Sequence, residues 1–193
     1  MTVSALRQAL TDHLGQTLTP EVACAIECKT VLPAVIPDFL DPQTGKFWVA
    51  ELGQEEIRKW VLHVTQGLLS LPKELQTECD LKHTFLDGMY MREMFIPKGT
   101  LIVGKVHKQP CMNIVSKGDI SILTEAGSAR VKAGHSALSP AGTQKVGYAH
   151  EDTVFVNVFR TDAADPDGIE DVLAFTTDEC LDMLASGETR RLT

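Results

Sequence analysis

Two different spacings of hydrophobic residues divide the 193-residue chain. The first is helical, and it is clearest in the segment GQEEIRKWVLHVTQGLL at residues 53–69. One helical stripe of this segment carries the apolar residues Ile57, Trp60, Val61, Val64 and Leu68. Earlier in the chain, Thr19 followed by Pro20 is typical of a helix start, with the threonine as N-cap. We therefore predict that residues 1–78 form a mostly helical N-terminal extension.

The second spacing has a period of two and begins near residue 83. Turn-forming stretches interrupt it at short intervals: IPKGT, SKGD, EAGSA, KAGHS, SPAGT and AHEDT. About seven or eight short strands separated in this way favour an antiparallel sandwich or barrel. In the segment LIVGKVH, alternation places Leu101, Val103, Lys105 and His107 on one face. We predict a mainly β domain over residues 79–160.

The last part of the chain, residues 161–193, is acidic. It begins with TDAADPDGIED, a polar and turn-rich stretch that we interpret as a link. In the following segment, TTDECLDMLASGE, Thr176 and Glu179 have the spacing of a capping box, and Gly187 stands where a helix would end. The sequence predicts an acidic C-terminal extension with one helix.

The net charge of −8 is unevenly distributed along the chain. Residues 1–81 carry 6 basic and 11 acidic groups (−5), residues 82–160 carry 10 and 6 (+4), and residues 161–193 carry 2 and 9 (−7). The overall negative charge argues against general nucleic-acid binding. The basic middle part would attract a small anion, or it would help the acidic flanks to pack on it.

Cysteine usage and hydropathy indicate the compartment. The chain has an odd number of cysteines and no C-x-x-C pair, which favours free thiols in a reducing environment. No segment approaches about 18 uninterrupted apolar residues, and the start MTVSALRQALTDHLG lacks the features of a secretory signal. We expect a cytoplasmic protein that does not span a membrane.

Two segments of the β part have the spacing of a known pair of motifs. They are GTLIVGKVHKQPCMNIVSKG at residues 99–118 and GHSALSPAGTQKVGYA at residues 134–149. The structural glycines of both motifs and the proline of the second, Pro140, keep their positions. On these motifs the sequence resembles the cupin superfamily of RmlC-like jelly rolls over roughly residues 83–160. The resemblance implies a single cupin-type jelly-roll β-barrel with helical N-terminal and C-terminal additions.

The resemblance also identifies the positions at which this family usually holds a metal. His107 keeps the usual identity, whereas Lys105 and Lys145 replace two histidines and Cys111 replaces a glutamate. Because lysines beside a cation oppose its binding, no cofactor is assigned firmly, and a divalent metal on His107 and Cys111 is left open.

At a looser level, DGMYMREMFIPKGTLIVGKVHK and PAGTQKVGYAHEDTVFVNVF resemble uncharacterised cupin-like proteins of tailed phages. This resemblance implies a viral origin and a location in the host cytoplasm, and it implies no particular activity. Cupin-like barrels often pair through exposed sheets, so a homodimer is expected.

The leading functional hypothesis is a basic barrel pocket that binds a small anionic or nucleotide-like ligand. Charge-assisted hydrogen bonds would hold this ligand, and desolvating two inward lysines is unfavourable unless an anion neutralises them. The candidate ligand-binding residues are Arg92, Lys105, His107, Asn113 and Lys145.

Two other classes of function remain open. In a small-molecule enzyme, either metal-dependent or epimerase-like, His107 would act as a base oriented by Glu93 or Asp152, with Tyr90 or Tyr148 as the acid. In a phage structural or interaction protein, the barrel would serve as a scaffold.

Overall fold

The computed structural model describes residues 24–26, 29–30, 39–69, 77–176 and Glu179. These residues are mainly β, as the sequence predicts. The elements, in chain order, are β1 (Cys24–Ile26), β2 (Lys29–Thr30), a 3-10 helix (Trp48–Glu51), α1 (Gln54–Leu69), β3 (Thr77–Glu78), β4 (Asp80–Leu86), β5 (Met89–Ile96), β6 (Leu101–Val103), β7 (Cys111–Lys117), β8 (Asp119–Thr124), β9 (Gly127–Lys132), β10 (Ser136–Ser139), β11 (Val146–Ala149), β12 (Thr153–Arg160) and α2 (Ile169–Leu173). Within this described part, no helix is long and apolar enough to cross a membrane.

The described strands form two sheets. One has seven strands in the order β3-β2-β1-β6-β11-β8-β9, and the other has five in the order β10-β7-β12-β5-β4. Strands β5 to β12 are divided equally between the two sheets, so that β5, β12, β7 and β10 face β6, β11, β8 and β9. This is the strand order of a jelly roll, and the predicted jelly roll is confirmed.

The two sheets do not close into a barrel, and in this respect the structure differs from the prediction. Strand β9 pairs with β8 and lies at the edge of its sheet, and β10 pairs with β7 and lies at the edge of the other. A short turn through Gly134 joins β9 to β10, but no ladder forms between them. The space between the sheets is therefore bordered by two edge strands on this side.

Three hydrophobic cores hold the described elements together. One lies between α1 and the seven-stranded sheet and includes Trp60 and Tyr148. The second lies between the two sheets and includes Ile120 and Phe155. The third includes Phe159 and the buried residues of α2. The jelly roll is thus covered by α1 outside the larger sheet and by α2 at one end.

The alternation predicted along LIVGKVH is broken after β6. Leu101 and Val103 pack in the core against α1. Strict alternation would put Lys105 and His107 on that same side, but both line the space between the sheets. Regular strand geometry ends at Val103, and residues 104–106 belong to no strand. Because of this irregularity, the polar end of the segment faces the interior of the jelly roll.

In the N-terminal part, the helix prediction is confirmed for α1. The described part of its apolar stripe is buried, namely Ile57, Trp60, Val61 and Val64. The helix predicted to start at Thr19 and Pro20, which lie outside the described residues, is wrong at Cys24–Ile26. Those residues form β1, which pairs in parallel with β6. Sheet pairing there overrides the local helix signal.

The C-terminal stretch that the sequence suggests is a polar link contains the short helix α2. Ile169 and Leu173, four positions apart, are buried and anchor α2 in the third core. The predicted capping box is confirmed, since the Glu179 N–H donates to Thr176 Oγ1 at 3.1 Å and the Thr176 N–H donates to the Glu179 carboxylate at 2.7 Å. Gly187 lies outside the described residues.

Candidate functional site

A small cavity lies between the two sheets, where β5 and β12 face β6 and β11. Its volume is about 50 Å³, and we call it the inner cavity. Its walls are largely apolar, with Ile102, Ile120 and Phe155 among them. The structure brings to this cavity several residues that the sequence predicts as ligand-binding, together with one that it does not: Arg92, Lys105, His107, Lys145 and Asn157.

His107 and Cys111 form a buried pair beside the inner cavity. His107 Nδ1 lies 3.2 Å from Cys111 Sγ, and Cys111 Sγ lies 3.6 Å from Asn113 Oδ1. Burial, followed by the positive charges of Lys145 and Arg92, lowers the pKa of His107 to about 3. Burial also raises the pKa of the Cys111 thiol, more than the neighbouring charges lower it. At neutral pH the pair is therefore an uncharged imidazole and a thiol, which is not an activated nucleophile.

A chain of hydrogen bonds runs from this pair to Arg92. Asn113 Nδ2 donates to Ser139 Oγ at 2.8 Å and to the Ala137 carbonyl oxygen at 3.1 Å. Asn157 Nδ2 donates to Asn113 Oδ1 at 2.8 Å, and Arg92 Nη2 donates to Asn157 Oδ1 at 3.3 Å. Arg92 Nε is buried and has no hydrogen-bond partner within the described chain. The chain of bonds thus orients a guanidinium whose buried Nε–H has no partner among the described residues.

The carboxylate of Glu170, on α2, reaches the rim of the inner cavity. It accepts hydrogen bonds from Lys105 Nζ at 2.8 Å and from Arg92 Nη1 at 3.4 Å. Burial acts to raise the pKa of Glu170, but the hydrogen bond and charge of Lys105, with the charges of Arg92 and His83, hold it below its usual value. Two of the predicted cationic residues therefore already contact an internal anion.

Sequence reasoning missed Glu170. It stands in the stretch TDAADPDGIED, which was interpreted as a link, at a position 65 residues from Lys105 and 78 from Arg92. The signal that was present is the spacing of Ile169 and Leu173, which predicts one buried helical turn with Glu170 beside it.

Lys145 has no counter-ion among the described residues. Its Nζ is buried and makes no hydrogen bond there. Burial is the largest influence on the pKa of Lys145 and lowers it, while Cys111 raises it and Arg92 lowers it further. The ammonium is thus the least compensated charge at the inner cavity.

Tyr90, the predicted acid, is not directed at His107. Its ring is buried on the inner face of β5, but its hydroxyl lies 2.7 Å from His83 Nδ1. The ring of Phe159 contacts both side chains, with its centroid 6.1 Å from that of Tyr90 and 5.1 Å from that of His107. The phenol is therefore engaged with β4, and the Tyr90 ring packs in the third core.

Glu93, the predicted orienting acid, lies on the outer face of β5. Its carboxylate is 2.8 Å from Lys82 Nζ, and the strand separates it from His107. The alternative candidates, Asp152 for the orienting acid and Tyr148 for the proton donor, also make other contacts. Asp152 accepts a backbone N–H at 2.9 Å, and Tyr148 packs in the core against α1. The structure does not bring a carboxylate of these residues to the imidazole.

The donors at the inner cavity do not fit the metal centre that the sequence resemblance implies. A zinc or iron site needs three or four converging N, O or S ligands. His107 and Cys111 supply two, and the charges of Lys105 and Lys145 oppose a cation. No group of three or more His, Cys, Asp or Glu that could hold a metal occurs in the part of the chain that the structure describes.

A second and larger space opens between the edge strands β9 and β10. It has a volume of about 650 Å³, and we call it the edge cleft. Ile122, Lys145 and Phe155 line both the edge cleft and the inner cavity. The edge cleft was not predicted from the sequence, because in a closed barrel β9 and β10 would pair with each other and leave no opening between them.

The turns between the strands are those of the two sequence motifs. The motif glycines have positive φ angles of 80° to 93°: Gly99, Gly118, Gly134 and Gly142. At Gly118 a Cβ atom would lie 2.5 Å from the Asp152 carbonyl oxygen, so a larger residue would displace the backbone. These turns occur within a jelly-roll strand order. The described residues thus form a jelly roll whose turns fall on the two motifs that the sequence shares with cupins.

Comparison with known proteins finds solved structures that resemble part of the chain. Similar solved structures include KdgF from Halomonas sp., at 15% identity over 42% of this chain and 79% of that chain, with a TM-score of 0.39. A cupin-2 domain containing protein from Shewanella frigidimarina has 12% identity over 42% and 80%, with a TM-score of 0.37. A putative ethanolamine utilization protein from Salmonella typhimurium has 14% identity over 45% and 72%, with a TM-score of 0.39. No family model and no curated protein matches the sequence. This partial likeness says nothing about the activity of the chain.

Proposed function

We propose that this cupin-fold protein binds a small anionic ligand at the inner cavity, with the Lys145 ammonium as the main contact. The observation that supports this function is the buried Lys145 Nζ, which has no hydrogen-bond partner among the described residues. A buried ammonium is stable when an anion neutralises it or when it loses its proton. A ligand that supplies a negative charge offsets a desolvation penalty of several kcal/mol.

The neighbouring groups favour an anion over a cation. Arg92, Lys105 and Lys145 border the inner cavity, and Glu170 is the carboxylate that contacts two of them. Arg92 Nε is a second buried donor without a partner in the described part of the chain. Both donors belong to residues that line the inner cavity, and a carboxylate or phosphate oxygen is a strong acceptor for such charged donors.

Binding is favoured over proton transfer. A general base works best when its pKa lies near the operating pH. With a pKa of about 3, His107 is a weak base at neutral pH, and no carboxylate orients it among the described residues. Its neutral ring instead lines the inner cavity as a polar group and adds no positive charge to that of Arg92, Lys105 and Lys145.

Thermal unfolding in the presence of simple anions tests the proposal. We expect sodium acetate or sodium phosphate to raise the unfolding temperature of the wild-type protein more than sodium chloride at equal ionic strength. Lys145→Met should lose this difference. Lys117→Met, at an exposed lysine that ends β7, should retain it. An equal response of Lys145→Met and wild type, or a wild-type response no larger than that to chloride, would overturn the proposal.

A further inference from the structure

We propose that the ligand is a monocarboxylate with an apolar body, whose carboxylate lies at Lys145 and whose body fills the edge cleft between β9 and β10. This inference rests on the proposed function, since it narrows the class of anion that the same site takes.

The first support is that the two spaces are adjacent. Lys145 lines both, together with Ile122 and Phe155, so these three side chains form the boundary between the inner cavity and the edge cleft. A ligand in the edge cleft therefore lies beside Lys145. One molecule at this boundary can contact both the lysine and the apolar surface of the cleft.

The second support is the size of the inner cavity. A water molecule needs about 10–15 Å³ of such volume, so a cavity of about 50 Å³ takes a group of roughly three to five water-sized atoms. A carboxylate, with two oxygens and one carbon, fits this space with room to spare. A phosphate with its four oxygens is at the upper limit, and a nucleotide does not fit in the inner cavity.

The third support is the chemistry of the edge cleft. Its volume of about 650 Å³ falls in the range of about 300–1,000 Å³ that is usual for small-molecule sites. Apolar side chains from the inner faces of both sheets line it, including Val115, Ile122, Ala129, Val131, Ala137 and Phe155. This lining suits an alkyl or aromatic body, because burying apolar surface stabilises the complex without further charges.

The charge at the rim is already compensated. Glu125 lines the edge cleft, and its carboxylate accepts hydrogen bonds from Arg58 Nε at 2.8 Å and Arg58 Nη2 at 2.7 Å. The rim therefore does not repel an approaching carboxylate as strongly as a free glutamate would. Lys145, at the inner end, is the uncompensated charge that orients the ligand.

Calorimetric titration with octanoate, 1-octanol and acetate tests the inference, with acetate measured by displacement. Each buried methylene improves affinity by about fourfold, so octanoate should bind at least about a hundredfold more tightly than acetate. Octanol, which has the same body without the charge, should bind at least about tenfold more weakly than octanoate. Lys145→Met should remove the difference between octanoate and octanol.

Filling the edge cleft gives a second and independent readout. Ala129→Trp, or Ala137→Phe should the first variant not fold, should weaken octanoate binding at least about tenfold and leave the thermal response to acetate unchanged. Ala133→Trp, in the exposed turn outside the cleft, is the matched control and should bind octanoate as wild type does.

The outcomes separate this inference from the proposed function. If acetate binds through Lys145 but octanoate binds no more tightly, or if the cleft-filling variants leave octanoate affinity unchanged, the inference is wrong and the proposed function stands. Tighter binding of adenosine monophosphate than of octanoate would also overturn it. If no anion binds in a Lys145-dependent manner, the proposed function itself fails.

Discussion

Acidification from about pH 7 to about pH 5 is expected to destabilise the protein by about 2 kcal/mol through His107 alone. The imidazole is buried beside Cys111 and faces the positive charges of Lys145 and Arg92, which follow burial as causes of its lowered pKa of about 3. In the unfolded chain the same ring has a pKa of about 6.5. A protonated ring is therefore favoured in the unfolded state and not in the folded one.

The direction and the magnitude follow from these two pKa values. Between about pH 6.5 and about pH 3 the unfolded chain binds a proton that the folded chain does not, so stability falls as the pH falls. Each unit of this interval corresponds to about 1.4 kcal/mol, and the interval between about pH 6.5 and about pH 5 gives about 2 kcal/mol. The effect of His107 is absent above about pH 7, where the ring is neutral in both states.

Urea unfolding of wild type and His107→Gln at these two pH values measures the effect. Both proteins share the titrating carboxylates, so the difference between their losses of stability isolates residue 107. We expect wild type to lose about 2 kcal/mol more than His107→Gln. His135→Gln, at an exposed histidine, should lose as much as wild type. Equal losses in wild type and His107→Gln would refute the assignment of a buried, neutral imidazole.

Three further predictions concern the same site and the assembly. Glu170→Gln removes the internal carboxylate that contacts Lys105 and Arg92, so it should strengthen acetate binding about threefold to tenfold. The control Asp171→Asn, one position along α2, should leave acetate affinity unchanged, and calorimetric titration of both variants measures the difference. Because the pKa of Lys145 is lowered and a bound anion favours its charged form, anion binding should weaken as the pH is raised through the titration of Lys145 and should take up protons in that range; calorimetry in two buffers of different ionisation enthalpy measures the uptake. The homodimer expected from the sequence should give a light-scattering mass twice the 21.1 kDa of the chain. If it forms through the outer face of β7, Met112→Glu, at an exposed methionine, should lower that mass.

Much of the fold was predictable because its signals are local. Period-two alternation and turn residues identify the strands, and the motif glycines, such as Gly118, stand where the backbone needs positive φ. The helical stripe of α1 is likewise a local pattern, and it is buried where described. At Cys24–Ile26 the local helix signal was misleading, because pairing with β6 decides the conformation there.

The site was predictable in part. The motif spacing placed Lys105, His107 and Lys145 together, and the structure brings them to one cavity. Strand alternation predicts which residues of β5 share a face but not which face points inward. For this reason the sequence suggests Glu93 as a partner of His107, although Glu93 lies on the outer face beside Lys82. The contact of Glu170 depends on how α2 packs in the third core, and the edge cleft depends on an unpaired strand edge. Neither is encoded in a short stretch of sequence.

The stability of Lys145→Met relative to wild type, measured by urea unfolding with and without octanoate, tests the central claim most directly. Without octanoate, removal of an unneutralised buried ammonium should make the variant at least as stable as wild type, and more stable by up to about 4 kcal/mol. With octanoate in excess, wild type should gain at least about 1.4 kcal/mol more stability than the variant, which corresponds to the tenfold difference in affinity. A variant that is less stable than wild type without octanoate, and that gains as much stability from it, would contradict the account.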